Sequence, residues 1–333
     1  MATLKDVAKL AGVDPSVVSR IINNDKSLSI KAETRRQVLE AIEKLNYRPN
    51  AIARSLKKGE TKMLGMVIPD FSNPVYSSII RGAESQAVKE GYHLMVCSLQ
   101  SEANSTYLPL LREGRVDGLL VACSEFEDTH LPELDKEDVP FILVNRLSKG
   151  SEKYVVTDDV FGTKLAVKHL IELGHTRIAH LAGPLYTGTG LERFQGYRLA
   201  LQEAGIEFKP NYMFESKYTA EDGYRGMNTL LDLPEPPTAV FAGNIMICLG
   251  AMKAAQERGL TIPDDISLVG FHDVFFASML YPPLTTVKMP LFEMGQEAVK
   301  KITKILRGEE VEQSLRIPGA SLVVRGSTAA PRD

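Results

Sequence analysis

Asp14-Pro15-Ser16-Val17-Val18-Ser19-Arg20-Ile21-Ile22-Asn23-Asn24 is short enough to be one helix, and it decides how the rest of the chain is read. Asp14 is a good N-cap, and Pro15 falls at the first helical position, where a missing N–H costs nothing. Val17, Val18, Ile21 and Ile22 recur at helical spacing as an apolar side, which leaves Ser16, Ser19, Arg20 and Asn23 as a hydrogen-bonding face. Ahead of it, Thr3 caps another short helix with Asp6 in its first turn and Leu4, Val7, Ala8 and Ala11 along one side. Gly12-Val13 turns the chain between them. Two short helices joined by a tight turn containing Gly, the second with a Ser/Arg/Asn face, form a helix-turn-helix, which offers its second helix to the DNA major groove.

Outward from this motif, Asp25 to Ser29 is polar and reads as a loop. A third helix from about Lys31 to Leu45 sets Val38, Leu39, Ile42 and Leu45 toward the first two. Tyr47-Arg48-Pro49 ends the bundle, and Asn50 to Leu56 follows with Pro49 at a helix start. Seven residues cannot hold a helix alone in water, so this segment reads as a conditional helix or as a plain linker running into Lys57-Lys58-Gly59-Glu60.

From Met63 the pattern changes to short apolar strands alternating with amphipathic helices. The strands are 64–68, 93–97, 118–122, 141–144, 154–156, 178–181, 239–242 and 266–269. Near-continuous apolar strands separated by helices signify parallel sheets covered on both faces, and this many fit two sheets better than one. Ligands of doubly wound sheets bind beyond the carboxyl ends of the strands. There the chain places Asp70 to Tyr76, Cys123-Ser124-Glu125, Asn145-Arg146 and Asp158-Asp159. The second half adds Thr187 to Arg193, Tyr218, Asn244-Ile245, and His272-Asp273 with Phe275 and Phe276. Flat apolar walls with a few orienting polar groups suit a small hydroxylated or ring-shaped molecule.

Composition agrees with two or three domains, since 333 residues, 44% of them hydrophobic, can bury substantial cores. Residues 1–60 hold 12 Lys/Arg against 7 Asp/Glu, a net of +5, and the remainder of the chain carries a net of −8. Beside a helix-turn-helix, a basic head on an acidic body suits phosphate binding at one end. No apolar segment follows Met1, and no apolar run is long enough to cross a bilayer, so a cytoplasmic protein with no membrane partner is expected. Cys97, Cys123 and Cys248 lie in apolar stretches without metal-ligand spacing, and no disulfide is expected. Gly188-Thr189-Gly190 lacks the third glycine of a dinucleotide loop. A Walker loop, a Gly-x-Ser-x-Gly elbow and a His-x-x-x-His pair are all missing, so neither an enzyme nor a metal or cofactor is expected.

The run Thr3 to Val13, then Val18-Ser19-Arg20 and Asn23, resembles the headpiece of the LacI family of bacterial transcriptional regulators. The likeness continues through Glu33-Thr34-Arg35, Leu45-Asn46-Tyr47-Arg48-Pro49-Asn50, Ala53-Arg54-Ser55-Leu56, Ser72-Asn73-Pro74 and Gly174-His175. It reaches Pro282 to Thr286 and Val323 to Thr328, nearly the whole chain. The connection after the second helix is two residues longer than in the best-known members.

The resemblance implies an all-α helix-turn-helix headpiece over 1–48 and a hinge helix and linker over 49–61. An α/β body over 62–333 then follows, two doubly wound parallel-sheet subdomains like those of periplasmic binding proteins. The subdomains would span approximately 62–160 with 291–322, and 161–290 with 323–333. Thr3, Ser16, Val17, Ser19, Arg20, Asn23, Tyr47, Asn50, Ala53 and Leu56 are the implied DNA-contacting positions, with a paired Leu56 wedging into the minor groove. Tyr76, Ser124, Asn145 and Arg193 match the family's effector-contacting positions, and the strand ends add Phe71, Asn73, Asp159, Thr187, Tyr218, Asn244 and His272 as ligand-contacting candidates.

Two departures bear on the ligand. His272 and Ile245 stand where members commonly place carboxylates, and Thr187 stands where purine-binding members place an arginine. A sugar derivative, or a ligand with an anionic or aromatic part facing Arg193 and a protonated His272, is therefore expected. His272 reads equally as a structural histidine, and at least one of Phe275 and Phe276 as core. The helix from Leu291 to Leu306 carries a wide apolar band that the sheet alone could cover. Dimerisation is expected on the helix from Tyr76 to Ala87, through Tyr76, Ile79, Ile80 and Ala83. The implied whole is a homodimeric repressor of operator DNA controlled by a small molecule. Control by a protein partner, or a binding protein without DNA function, are the alternatives.

Overall fold

A computed structural model describes residues 2–23, 25, 27–47, 60–98, 114–123, 127, 131–136 and 139–332. The chain divides into two compact units, Met1–Thr61 and Lys62–Asp333. The expected hinge helix, with Asn50, Ala53 and Leu56, lies outside the described residues, as does Ser124.

In the first unit, α1 (Leu4–Ala11), α2 (Pro15–Ile22) and α3 (Ala32–Lys44) enclose a small core. The start of α1 is fixed by a reciprocal capping box: the Asp6 N–H donates to Thr3 Oγ1 at 3.3 Å and the Thr3 N–H to Asp6 Oδ2 at 2.8 Å. Gly12 ends α1 in the left-handed region at φ 67°, a conformation that only glycine adopts freely. Asp14 caps α2, accepting from the Ser16 N–H at 2.8 Å, and Pro15 opens it. Val7, Ala8, Val18, Ile21, Val38 and Ala41 are the buried centre. Leu39 does not join them and is 53% exposed. Along α3, Val38, Ala41, Ile42 and Leu45 share one stripe, and Leu39 stands a helical step away from it.

The body holds two six-stranded sheets among the described residues. The first contains β1 (Met63–Ile68), β2 (His93–Ser98), β3 (Gly118–Val121), β4 (Phe141–Val144), β5 (Tyr154–Thr157) and β11 (Ser314–Ile317). Their order is β11-β5-β4-β3-β1-β2, with all pairs parallel. The second contains β6 (Ile178–Ala182), β7 (Met213–Glu215), β8 (Ala239–Ala242), β9 (Ser267–Phe271), β10 (Thr285–Lys288) and β12 (Ser321–Val323) in the order β12-β10-β9-β8-β6-β7. Here the parallel expectation needs one correction, since β12 runs antiparallel to β10. The chain passes between the sheets after β5, after β10 and after β11.

Helices cover the sheets: α4 (Val75–Lys89), α5 (Leu131–Lys136), α6 (Asp159–Glu172), α7 (Gly188–Glu203), α8 (Ala220–Leu231), α9 (Ile245–Glu257) and α10 (Leu291–Leu306). The wide apolar band of α10 is consumed inside the chain, against β3, β4, β5 and α4. A Cβ added at Gly82 would run into the backbone carbonyl of Phe292, and one at Gly295 into that of Ile79. Gly82→Ala is thus expected to destabilise the body by about 3 kcal/mol, since two backbones must separate to admit one methyl group, and a urea denaturation curve reads the loss. This crossing also corrects the dimer expectation. Tyr76, Ile79 and Ala83 are buried in their own core, leaving only Ile80 of that set partly exposed. Across the two subdomains, Arg316 of β11 donates to both carboxylate oxygens of Glu192 on α7, at 3.0 and 2.7 Å.

Candidate functional site

On α2, Ser16, Arg20 and Asn23 are exposed at spacings of four and three, one line along the helix, while Val17 and Ser19 are half-buried beside it. Thr3 is exposed at the α1 cap, and Tyr47 packs against the headpiece core. Arg20 is not free in solvent: its Nε donates to Asp25 Oδ2 at 2.7 Å and its Nη2 to Ser27 Oγ at 2.9 Å. The Ser27 hydroxyl and Arg20 hold the Asp25 carboxyl down at about 2, so the clamp stays ionised at neutral pH. Asn23 Nδ2 donates to the Ser19 carbonyl at 2.7 Å. The loop after α2 thus supplies the groups that pre-position the arginine.

In the body, the carboxyl ends of the parallel strands converge on one polar cluster. Tyr76 opens α4 after β1, Asn145 and Arg146 follow β4, and Asp159 opens α6 after β5. Thr187 caps α7 after β6, Tyr218 precedes α8, Asn244 caps α9 after β8, and His272 follows β9. Three of these, Asn145 (φ 56°), Tyr218 (φ 63°) and His272 (φ 78°), are non-glycine residues in the left-handed region. Bulky side chains there cost about 1–3 kcal/mol each, and such strain persists where the surroundings over-determine it.

Arg193 is the hub of this cluster. At 2% exposure it meets Asp159, equally buried, at 2.7 Å, and donates to the Gly243 carbonyl at 2.7 Å. Its guanidinium lies 4.2 Å from the Phe271 ring centroid, a cation–π contact. Burial opposes the charge, but Asp159 and the Tyr218 and Tyr76 hydroxyls together outweigh it and the guanidinium stays protonated. Asp159 accepts a further bond from the Thr157 hydroxyl at 2.8 Å. Arg193 Nη2 reaches His272 Nε2 at 3.3 Å.

That contact overturns the expected protonated His272. Burial, with Arg193 and Arg146 adding to it, pushes the imidazole well below its ordinary value, so the ring is neutral. A neutral ring that accepts at Nε2 carries its proton on Nδ1. Among the described residues this Nδ1–H has no partner. Nor is Arg193 an open cation, because Asp159 answers its charge.

The opposite wall comes from the first subdomain. Arg146, 7% exposed, donates to Tyr76 Oη at 2.6 Å and to the Asn145 carbonyl at 2.7 Å. Burial raises the Tyr76 phenol, whose surroundings include Arg146 and Cys123 from its own side and Tyr218 and Arg193 from the other subdomain. Thr189 Oγ1 lies 3.3 Å from Tyr218 Oη. Other expected contacts serve the turns: Asn73 accepts from the Val75 N–H, Thr187 from the Gly190 N–H and Asn244 from the Met246 N–H. Phe71 is 60% exposed at the β1 turn and Phe275 79% exposed, while Phe276 packs on the core.

Residues 3–50 match the family of bacterial regulatory proteins named lacI, and residues 167–328 match the periplasmic binding protein-like domain. The transcriptional repressor PurR of Mannheimia succiniciproducens is 38% identical over 331 residues, covering 98% of both chains. The chain belongs to the LacI family. Its PurR relative from Histophilus somni is likewise 38% identical over 331 residues, covering 98% of this chain and 99% of that protein. Among solved structures, the Lac repressor dimer bound to operator and the anti-inducer ONPF superposes with a TM-score of 0.89 at 31% identity, covering 99% of each chain. The CelR regulator in complex with cellobiose gives 0.72 at 31% identity, covering 98% of this chain and 100% of that one. This LacI-family chain is therefore a DNA-binding transcriptional regulator with a periplasmic-binding-protein-like regulatory body.

Two cleft residues of this LacI-family chain, Arg146 and Thr189, stand in the strand-end stretches named from sequence but were not singled out there as ligand-contacting positions. Arg146 sits two positions beyond the wholly apolar strand Phe141–Val144, and a cation at a strand end that faces a cleft was the available signal. Thr189 lies inside the Gly188-Thr189-Gly190 stretch, whose resemblance to a dinucleotide loop drew attention to the glycines. No helix among the described residues is long and apolar enough to cross a membrane.

Proposed function

We propose that this protein is a ligand-responsive repressor acting in the cytoplasm as a homodimer, with no catalytic role of its own. Residues 1–48 would read operator DNA, 49–61 would serve as the hinge, and 62–333 would sense a small molecule. The observation that carries the reading is the composition of the cleft lining, Tyr76 with the Arg146 that donates to it at 2.6 Å from one subdomain and Arg193 with His272 at 3.3 Å from the other. A ligand touching both walls has a different affinity for the open and closed arrangements. It therefore shifts their populations and with them the operator affinity. The PurR relatives are named as repressors, and the Lac repressor neighbour was solved as a dimer on its operator, both in keeping with this.

The line Ser16, Arg20 and Asn23 would lie in the major groove, with Val17 and Ser19 beside it. A fluorescence-anisotropy titration of the purified protein with DNA from its own promoter region tests this. Tight binding that weakens about a hundredfold or more between 50 and 200 mM salt is expected. Arg20→Ala is expected to weaken specific binding by about 5- to 150-fold, the range of a lost base or phosphate contact. Salt-insensitive or sequence-indifferent binding would remove the headpiece from this role.

A further inference from the structure

We propose that the cleft takes hold of its effector through an anionic group, a carboxylate or a phosphate ester, received by the Arg146 guanidinium and the Nδ1–H of His272. The proposal rests on the ligand-responsive reading above and adds to it the charge of the ligand.

Of the two buried guanidinium groups among the described residues one is paired, while the buried Lys301 ammonium ends on the Glu312 and Ser314 backbone carbonyls. Arg193 is the comparison, equally deep and matched by Asp159 at 2.7 Å. Arg146 is 7% exposed, yet among the described residues it forms no ion pair. A guanidinium has five N–H donors, and Arg146 spends two, on the Tyr76 hydroxyl and the Asn145 carbonyl. The remaining three have no protein acceptor among the described residues. Burying such a cation without a counter-charge is strongly unfavourable, and a folded protein tolerates it where a ligand supplies the charge.

His272 points to the same chemistry independently. Its ring is 98% buried by the measure that gives 2% exposure, and its Nδ1 is without a partner among the described residues. The positive charge of Arg146 reaches this ring, so the two groups share one neighbourhood. Both offer only donors to the cleft, and together they bring one positive charge that no described residue compensates. A neutral hydroxyl could accept a hydrogen bond there but would leave the charge unanswered. A carboxylate or phosphate oxygen pair fits the planar fork of a guanidinium and neutralises it. Left-handed backbone at Asn145 and at His272 holds the two donors in place, strain of the kind found where geometry is fixed for binding. The Tyr76 ring, 6.0 Å from the Arg146 guanidinium carbon, and Tyr218 on the far wall leave aromatic surface for the rest of the molecule.

The test is the melting temperature of the full chain, with binding heats beside it, titrated with ribose, ribonate, ribose 5-phosphate and inorganic phosphate at constant ionic strength. The expected result is a saturable rise with an anionic probe that ribose does not match, and the ribonate and ribose 5-phosphate arms tell carboxylate from phosphate. Arg146→Leu is expected to weaken that response about thirty-fold or more, and Arg146→Lys, which keeps the charge and loses the fork, by less. Arg146→Leu removes a buried unpaired charge, so a cooperative melt of the variant is expected. Equal anion responses in the wild type and Arg146→Leu would overturn the proposal. So would ribose stabilising the wild type as well as its anionic derivatives do, or a wild type that responds to no anion. The readout does not pass through DNA, so its failure removes the anion subsite alone. The regulator reading stands or falls separately, on operator titration.

Discussion

Arg193→Met is expected to lower the unfolding free energy of the body by about 3–5 kcal/mol, the range for breaking a buried ion pair on one side only. The variant leaves the Asp159 carboxylate, 2% exposed, with the Thr157 hydroxyl as its remaining side-chain donor. It also deprives the Gly243 carbonyl and His272 Nε2 of their donor. The double exchange Arg193→Met with Asp159→Asn removes both charges and is expected to recover much of the loss, because well-packed neutral groups often replace a buried pair with little change. The chain has no tryptophan, so far-UV circular dichroism in urea is the suitable readout. A single variant within about 1 kcal/mol of the wild type would mean that solvent reaches the pair.

Acid is expected to loosen the body well before its carboxylates titrate. Burial lowers His180 to about 4, with its Nδ1 donating to the Phe241 carbonyl and its ring stacked on Phe241. His272 is likewise held well below its ordinary value, by burial and two arginines. In the unfolded chain both return to about 6.5 and take up protons that the folded state refuses. The stabilisation is therefore present above pH 6.5 and is lost as pH falls toward 4. Between pH 7 and 5 His180 alone accounts for about 2 kcal/mol, and His272 adds to it in the same direction. His180→Gln should flatten the stability profile over this interval. An unchanged slope would show that His180 is protonated without loss of the fold.

The recognition helix was legible because capping chemistry is local: Asp14, Pro15 and Gly12 each act within a few residues of themselves. The two sheets were legible because strands covered on both faces have to be apolar throughout, as Phe141–Val144 and Ala239–Ala242 are. The half-exposed edges Met213–Glu215, Ser314–Ile317 and Ser321–Val323 were not, since they carry no such run, nor was the inner strand Thr285–Lys288, where two buried threonines interrupt it. The strand ends located the cleft, but its charge pattern could not be read in advance. Whether Arg193 or Arg146 is the open cation depends on Asp159, 34 positions from Arg193 in sequence and brought to it by the packing of α6 against α7. His272 reads as a titrating group by type and is a neutral donor by environment. Leu39 and the outward expectation for Ile79 and Ala83 failed for one reason: periodicity gives a face but not what covers it.

The claim at the centre is that a small molecule in the cleft sets operator affinity. Its most direct measurement is the operator dissociation constant of the full-length dimer, at fixed salt, with and without the metabolite fraction below about 1 kDa from the cells that express it. The account predicts a change of about fivefold or more, saturable in the amount of fraction added, as coupling between two sites requires. An operator affinity identical with and without that fraction, at every concentration, would contradict it and leave the cleft without a role in DNA binding.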